Sequence, residues 1–172
     1  MNWTRAGLAG VVAAAGLAGV ALSISASQPD EQHLVLRQQP PDLHTILLQE
    51  GDRSIGDLLL FDAPFATEDG TAAGELTGSL LVVDLADPAA EGDLAMESRL
   101  TNLVFSFGER GTIVVGGGAV YPALEKEIAV NDPQVRAVVG GTGEFIGASG
   151  EVTTTRAADG SYTHDFPLLA AD

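Results

Sequence analysis

The chain has 172 residues, which is enough for one domain with a sizeable core and an appendage. Its 24 acidic and 8 basic side chains give a formal net charge of −16, which repels the phosphates of nucleic acids and of anionic lipids. We therefore expect no nucleic-acid partner. The absence of cysteine excludes disulfides, thiolate nucleophiles and acylated cysteine anchors.

The first 28 residues form a segment of their own. One basic side chain, Arg5, precedes an apolar run from Ala6 to Ile24, and small residues then lead into a polar stretch. This order is typical of a secretory signal, with cleavage predicted after Ser25 or Ser27. The alternatives are an uncleaved membrane anchor, or a cytoplasmic protein in which residues 1–28 form a lid over a cavity. We expect export or anchoring, with membrane contact through residues 1–28 only.

Residues 29–42 contain three prolines and several glutamines, which predicts a linker or arm. Within this stretch, residues 33–37 read His-Leu-Val-Leu-Arg, and this run predicts an additional edge strand. The remaining residues, 43–172, are predicted to form a single β-domain.

Short apolar and β-branched runs recur at regular intervals after Asp42, separated by turn residues such as Asp159-Gly160. Eight short strands with short connections favour a closed antiparallel barrel, which has no edges and can hold one small ligand. The predicted fold is therefore all-β, a closed eight-stranded antiparallel barrel. The predicted strands are 43–50, 57–65, 74–85, 94–107, 111–121, 135–139, 144–155 and 161–169.

The segment from Ala137 to Val152 contains five glycines within eleven residues. This density indicates positive φ angles or close approach of backbones, and it predicts a strand–turn–strand corner. A phosphate cradle is the alternative, but no Lys-Ser or Lys-Thr follows the last glycine. The strand-like sequence beyond also supplies no helix N-terminus for an anion.

Glu97 and Arg99 interrupt an apolar run at 94–107. Strand alternation places both on one face with Phe105, so all three point into the barrel or all point outward. Inward, they form a charged pair in an apolar lumen; outward, they meet water or a partner subunit. The outward orientation would be compatible with a homo-oligomer.

Tyr121 precedes a proline at a strand end, which predicts a position near the barrel mouth. There its hydroxyl could meet a ligand carbonyl, or simply water. Because a ligand-holding barrel presents mainly apolar walls, some aromatic residues should line the cavity. The candidate catalytic residues are Tyr121, Glu97 and Arg99, and the candidate substrate-binding residues are Phe61, Phe65, Phe105 and Phe145.

The remaining polar residues suggest little chemistry. His33, His44 and His164 lack metal-ligand spacing and are predicted to lie at the surface or rim. Asp57 follows a glycine in a turn, which favours a role in capping the backbone. We expect no metal and no nucleotide cofactor. The weaker candidates for chemistry are Glu50, Glu151 and Tyr162.

Three blocks of sequence resemble the allene oxide cyclase-like and dirigent-like barrels. The first combines Ile55-Gly56-Asp57-Leu58-Leu59-Leu60-Phe61 with Asp69-Gly70-Thr71-Ala72-Ala73-Gly74. The second is Ala137 to Val152, and the third is Asp159-Gly160-Ser161-Tyr162-Thr163-His164-Asp165-Phe166. The blocks lie in the family's order and together span most of the predicted barrel.

This resemblance implies a barrel that acts on small lipophilic molecules. Family members include plant fatty-acid epoxide cyclases, dirigent proteins that steer radical or quinone-methide coupling, and bacterial [4+2] cyclases of spirotetronate pathways. We expect a cofactor-free cyclase that folds a flexible polyketide- or polyene-like substrate for ring closure. The alternatives are an exported, non-catalytic or dirigent-type barrel that binds a small lipophile, and a fatty-acid cyclase. Against the last, Leu47 and Gln49 stand where plant members carry Glu-x-Asn.

Overall fold

The computed structural model describes residues 31–50, 54–85, 96–122 and 125–169. The predicted signal, anchor or lid at residues 1–28 lies outside the described residues. Nothing within the described ranges forms a helix long and apolar enough to cross a membrane. The described strands are β1 (Glu31–Gln38), β2 (Asp42–Ile46), β3 (Leu58–Thr67), β4 (Ala72–Asp84), β5 (Met96–Ser106), β6 (Thr112–Pro122), β7 (Gln134–Gly141), β8 (Ser149–Arg156) and β9 (Tyr162–Leu169).

The sheet closes on itself as an antiparallel barrel. Its strand order is β1-β9-β8-β7-β6-β5-β4-β3-β2, and an additional pairing of β1 with β3 joins the two ends. The closed barrel therefore consists of β1 and β3 to β9, while β2 pairs with β3 as an extra strand. The predicted all-β, closed eight-stranded antiparallel barrel is confirmed.

The strand at Glu31–Gln38 differs from the linker or edge strand predicted for this region. It pairs with β9 along its whole length and with β3 through its last three residues, so it is the strand that closes the barrel. Leu36 and Gln38 are buried because alternate residues of β1 point inward. Pro40 and Pro41 follow, and the missing N–H groups of proline prevent the ladder from continuing.

The Gly-rich segment forms the predicted corner. β7 ends at Gly141, a 3₁₀ turn covers Gly143–Phe145, and β8 begins at Ser149, five residues later than the sequence indicated. A Cβ at Gly141 would collide with the backbone oxygen of Phe145, and a Cβ at Gly111 would collide with that of Thr142. The glycines are therefore required by the close packing of two turns at this end of the barrel.

Two hydrophobic clusters fill the barrel at successive levels along its axis. The first is rich in phenylalanine, and its ring centroids lie 4.6–5.7 Å apart in edge-to-face or tilted arrangements. The second contains Leu59, Leu80, Val82, Tyr121 and Tyr162. A cavity lies where the two clusters meet. The rings of the first cluster are Phe65, Phe105, Phe107, Phe145 and Phe166.

Candidate functional site

The cavity opens at the end of the barrel opposite the phenylalanine cluster. It offers about 40 Å³ to the centres of water molecules, within about 420 Å³ of empty space that includes its mouth. This inner volume accommodates about three waters or a small ligand group. Pro41, Leu43 and Lys126 line the mouth, through which the rest of a longer ligand would extend.

The cavity has one apolar wall and one polar wall. The apolar wall comes from the inward faces of β3 and β4, with Phe61, Leu76 and Leu80. The polar wall comes from β1 and from β7 to β9. A ligand in this cavity would thus meet hydrocarbon on one side and hydrogen-bonding groups on the other. The polar wall consists of Gln38, Arg136, Thr154, Tyr162 and His164.

Arg136 is the charged residue of the polar wall. Its side chain is 5% exposed, and Nη2 donates a hydrogen bond to the hydroxyl of Tyr121 at 3.1 Å. Its Nε has no hydrogen-bond partner in the part of the chain that the structure describes. The Oγ1 atom of Thr101, on β5, is also buried without a partner.

Thr101 and Arg136 are brought together across β6. Thr101 pairs with Gly117, and a Cβ at Gly117 would lie 3.9 Å from Cβ of Arg136. Gly117, on the strand between theirs, contributes no side chain at this level. Both residues line the same cavity, and each carries a buried polar atom, the guanidinium Nε and the threonine hydroxyl, with no hydrogen-bond partner among the described residues.

His164 is held neutral inside the polar wall. Its Nε2 lies 2.8 Å from Oε1 of Gln38, and its Nδ1 lies 3.0 Å from Oγ1 of Thr154. Because the amide oxygen only accepts, Nε2 carries the proton and Nδ1 accepts from the threonine hydroxyl. Burial, assisted by the positive charge of Arg136, lowers the pKa of His164 to about 3.

The predicted surface or rim position is wrong for His164, which is 1% exposed. Alternation along β9 places it on the inward face with Tyr162 and Phe166. His33 and His44 are exposed, as predicted. No group of three or more potential metal-ligating side chains occurs in the part of the chain that the structure describes.

Glu97, Arg99 and Phe105 all point into the barrel, so the outward orientation toward water or a partner does not occur. The Arg99 guanidinium is paired with the Glu97 carboxylate and donates to the backbone oxygens of Lys126 and Glu125. It also lies 4.0 Å from the ring centroid of Tyr121. The pair is absent from the cavity lining and instead fastens the segment at 125–128 against the barrel.

Of the aromatic candidates, Phe61 and Tyr121 line the cavity. Phe65, Phe105 and Phe145 do not, because they lie nearer the closed end and pack in the phenylalanine cluster. Tyr121 is 3% exposed, so its hydroxyl faces the interior and not bulk water.

The mouth contains a second polar group. The carboxylate of Glu127 accepts a hydrogen bond from the Tyr162 hydroxyl at 2.9 Å and one from Arg156 at 2.7 Å. Burial, and secondarily the charge of Glu127, raise the pKa of Tyr162 well above its usual value. The phenol therefore stays protonated.

The other polar candidates lie elsewhere. Glu50 and Glu151 are exposed. The buried carboxylate of Asp57 accepts from the backbone N–H groups of Leu48 at 2.9 Å and Ser54 at 2.8 Å, which confirms the predicted capping role.

Comparison with solved structures defines the class of fold. No protein-family model matches the chain, and neither does any curated protein. Among solved structures, dirigent and cyclase barrels share its fold. The resemblance predicted from the sequence is therefore confirmed at the level of fold.

Three solved structures illustrate the likeness. Pyocyanin demethylase has a TM-score of 0.56 and 18% identity, covering 81% of this chain and 100% of its own. The pterocarpan synthase dirigent protein GePTS1 has a TM-score of 0.51 and 16% identity, covering 83% and 85%. The Diels Alderase AbmU from Streptomyces koyangensis has a TM-score of 0.51 and 17% identity, covering 84% and 71%. At these identities the likeness shows the fold alone.

Proposed function

We propose that this barrel is a cyclase that holds a small apolar substrate in its cavity and accelerates ring closure, including closure of the [4+2] type. The observation that carries the proposal is the pairing of an apolar wall with a wall of hydrogen-bond donors. Its support from comparison is the fold shared with a Diels Alderase and a dirigent protein.

Ring closure of this kind demands positioning more than acid–base chemistry. In a [4+2] closure, two σ bonds form as two π bonds are consumed, and no atom or proton leaves the substrate. Holding both reacting ends of one molecule in the right geometry can supply roughly 7–11 kcal/mol at best. Phe61, Leu76 and Leu80 would hold the hydrocarbon and exclude water.

Polar residues that line the cavity would polarise the substrate. Thr101, Tyr121 and Arg136 line the cavity, and a carbonyl oxygen that accepted hydrogen bonds from their side chains would draw electron density from a conjugated alkene. Neutral His164 and protonated Tyr162 would serve in this scheme as fixed dipoles and not as proton donors at neutral pH.

A barrel that binds a lipophile without catalysis is the second candidate. It is favoured by the inner volume of about 40 Å³, which suits capture of a compact group.

Turnover separates the two candidates. A linear chain that carries a conjugated diene and an enone is incubated with the purified protein, and the first-order rate of ring closure is compared with the spontaneous rate. We expect a saturable acceleration of at least about 100-fold. Tyr121→Phe and Thr101→Val should each lower it about tenfold. Thr77→Val, on the exposed outer face, is the matched control. Saturable binding without acceleration would establish the binding barrel instead.

A further inference from the structure

We propose that the cavity takes a ligand with an anionic oxygen, a carboxylate or the enolate of an acidic carbonyl compound, as the counter-ion of Arg136. This inference rests on the proposed function in one respect, since it requires that the cavity bind a ligand. It adds the charge of that ligand and the residue that recognises it.

The first argument is a comparison of the arginines. Of those that the structure describes, Arg99 pairs with Glu97 inside the barrel and Arg156 pairs with Glu127 at the cavity mouth. Arg37 and Arg110 have carboxylate partners at the surface. Arg136, which is 5% exposed, has no carboxylate partner among the described residues.

The missing counter-ion is unexpected in so acidic a chain. Its 24 carboxylates outnumber 8 basic groups, so a structural arginine has ample choice of partners. A buried charge without a counter-ion is costly, and a neutral phenol such as Tyr121 compensates it only in part. An arginine retained at this cost is explained if a ligand supplies the negative charge.

The second argument is that further donors converge on the same space. Nε of Arg136 and Oγ1 of Thr101 are both buried without a partner and both residues line the cavity. Gly117, on the strand between theirs, contributes no side chain. A planar carboxylate or enolate could accept from the guanidinium edge and from the threonine hydroxyl together.

The third argument concerns the charge of the whole site. Glu127 is already engaged by Arg156 and Tyr162, and His164 stays neutral. One positive charge therefore remains uncompensated among the cavity residues, apart from exposed Lys126 at the mouth. The site suits a monoanion whose body is apolar, because the opposite wall is hydrocarbon.

The test uses two probes of the same shape. Isothermal titration of the full-length protein at neutral pH compares trans-cinnamate, which is anionic, with trans-cinnamamide, which is neutral. We expect cinnamate to bind at least about tenfold more tightly. Arg136→Gln should remove this preference, and Arg136→Lys, which keeps the charge, should retain part of it. Arg110→Gln, at an exposed ion pair, is the control and should change nothing.

The outcomes separate this inference from the proposed function. Equal affinity for the two probes, or a preference that survives Arg136→Gln, overturns the anion site and leaves the binding cavity intact. Failure of the wild-type protein to bind either probe overturns the anion site, and the rate of ring closure then tests the cyclase separately. Selective binding of cinnamate together with no acceleration of ring closure supports the anion site and contradicts the cyclase.

Discussion

Two buried arginines in this barrel have opposite surroundings. Arg99 meets a carboxylate, two backbone oxygens and the face of Tyr121. Arg136 meets one phenol hydroxyl. When a buried ion pair loses one partner, the remaining charge is left uncompensated and the fold is destabilised. A buried charge that has no counter-ion already carries this desolvation cost in the native protein. The first arrangement indicates a structural role and the second a role toward a ligand.

Replacing each arginine by methionine should therefore have opposite effects. Arg136→Met removes an uncompensated charge and should raise the free energy of unfolding by about 1 kcal/mol. Arg99→Met leaves Glu97 buried without this partner and should lower it by about 3–5 kcal/mol. Urea unfolding of both variants provides the measurement. Equal destabilisation by the two substitutions would show that Arg136 is structural.

His164 should make stability depend on pH in a defined direction. Its pKa falls from 6.5 to about 3 on folding, so the unfolded chain binds the proton first as the pH falls. The stability associated with neutral His164 is complete above about pH 6.5 and is lost progressively between 6.5 and 3. Between pH 7 and 5 the loss should be about 2 kcal/mol.

The matched comparison is His164→Gln, which removes the titrating group but leaves the carboxylates common to both proteins. We expect the free energy of unfolding of the variant to fall about 2 kcal/mol less than that of the wild type over this interval. Parallel pH profiles for the two proteins would mean that His164 is not held neutral by the fold.

At the scale of elements, the corner between β7 and β8 depends on two turns that touch through their backbones. Gly111→Ala would place a Cβ against the Thr142 carbonyl at φ +116°, and we expect a loss of at least about 3 kcal/mol in the free energy of unfolding. Gly108→Ala is the control, because its Cβ meets nothing within 4 Å and only its φ of +66° is strained. Its cost should be about 1–2 kcal/mol. Similar losses measured by chemical unfolding would contradict the required close approach.

Strand β5 also shows which structural features the sequence pattern can predict. Alternation placed Glu97, Arg99 and Phe105 on one face of β5, and the structure keeps them together. Which face points inward could not be decided, because the outer face carries Leu100 and Val104 and no charge. The other face carries the charged pair Glu97 and Arg99, which a sequence pattern alone would assign to solvent as readily as to the interior.

The candidate site was harder to predict than the strands. Arg136 lies in an apolar strand beside Val135 and Val138, and alternation from Val138 would have marked it as inward-facing. Its significance depends on its having no carboxylate partner among the described residues, which can be seen only once the register of the neighbouring strands is known. The phenylalanines were hard to assign for a similar reason. Whether a ring lines the cavity or packs at the closed end depends on its level along the barrel axis, which the sequence pattern does not give.

On the scale of the whole molecule, the barrel combines a strongly acidic exterior with an interior that holds one uncompensated guanidinium. The phenylalanine cluster closes one end, and Arg99 fastens the segment at 125–128 beside the other. The cavity between them has an apolar wall that faces a polar wall, and the proposed activity depends on this arrangement.

A crystal structure of the protein grown with trans-cinnamate tests this most directly. The account predicts that the carboxylate lies within hydrogen-bonding distance of Arg136, with Thr101 beside it, and that the phenyl ring extends toward Phe61 and the mouth. A carboxylate bound instead at Lys126, or at the outer surface of the barrel with the cavity unoccupied, would contradict it.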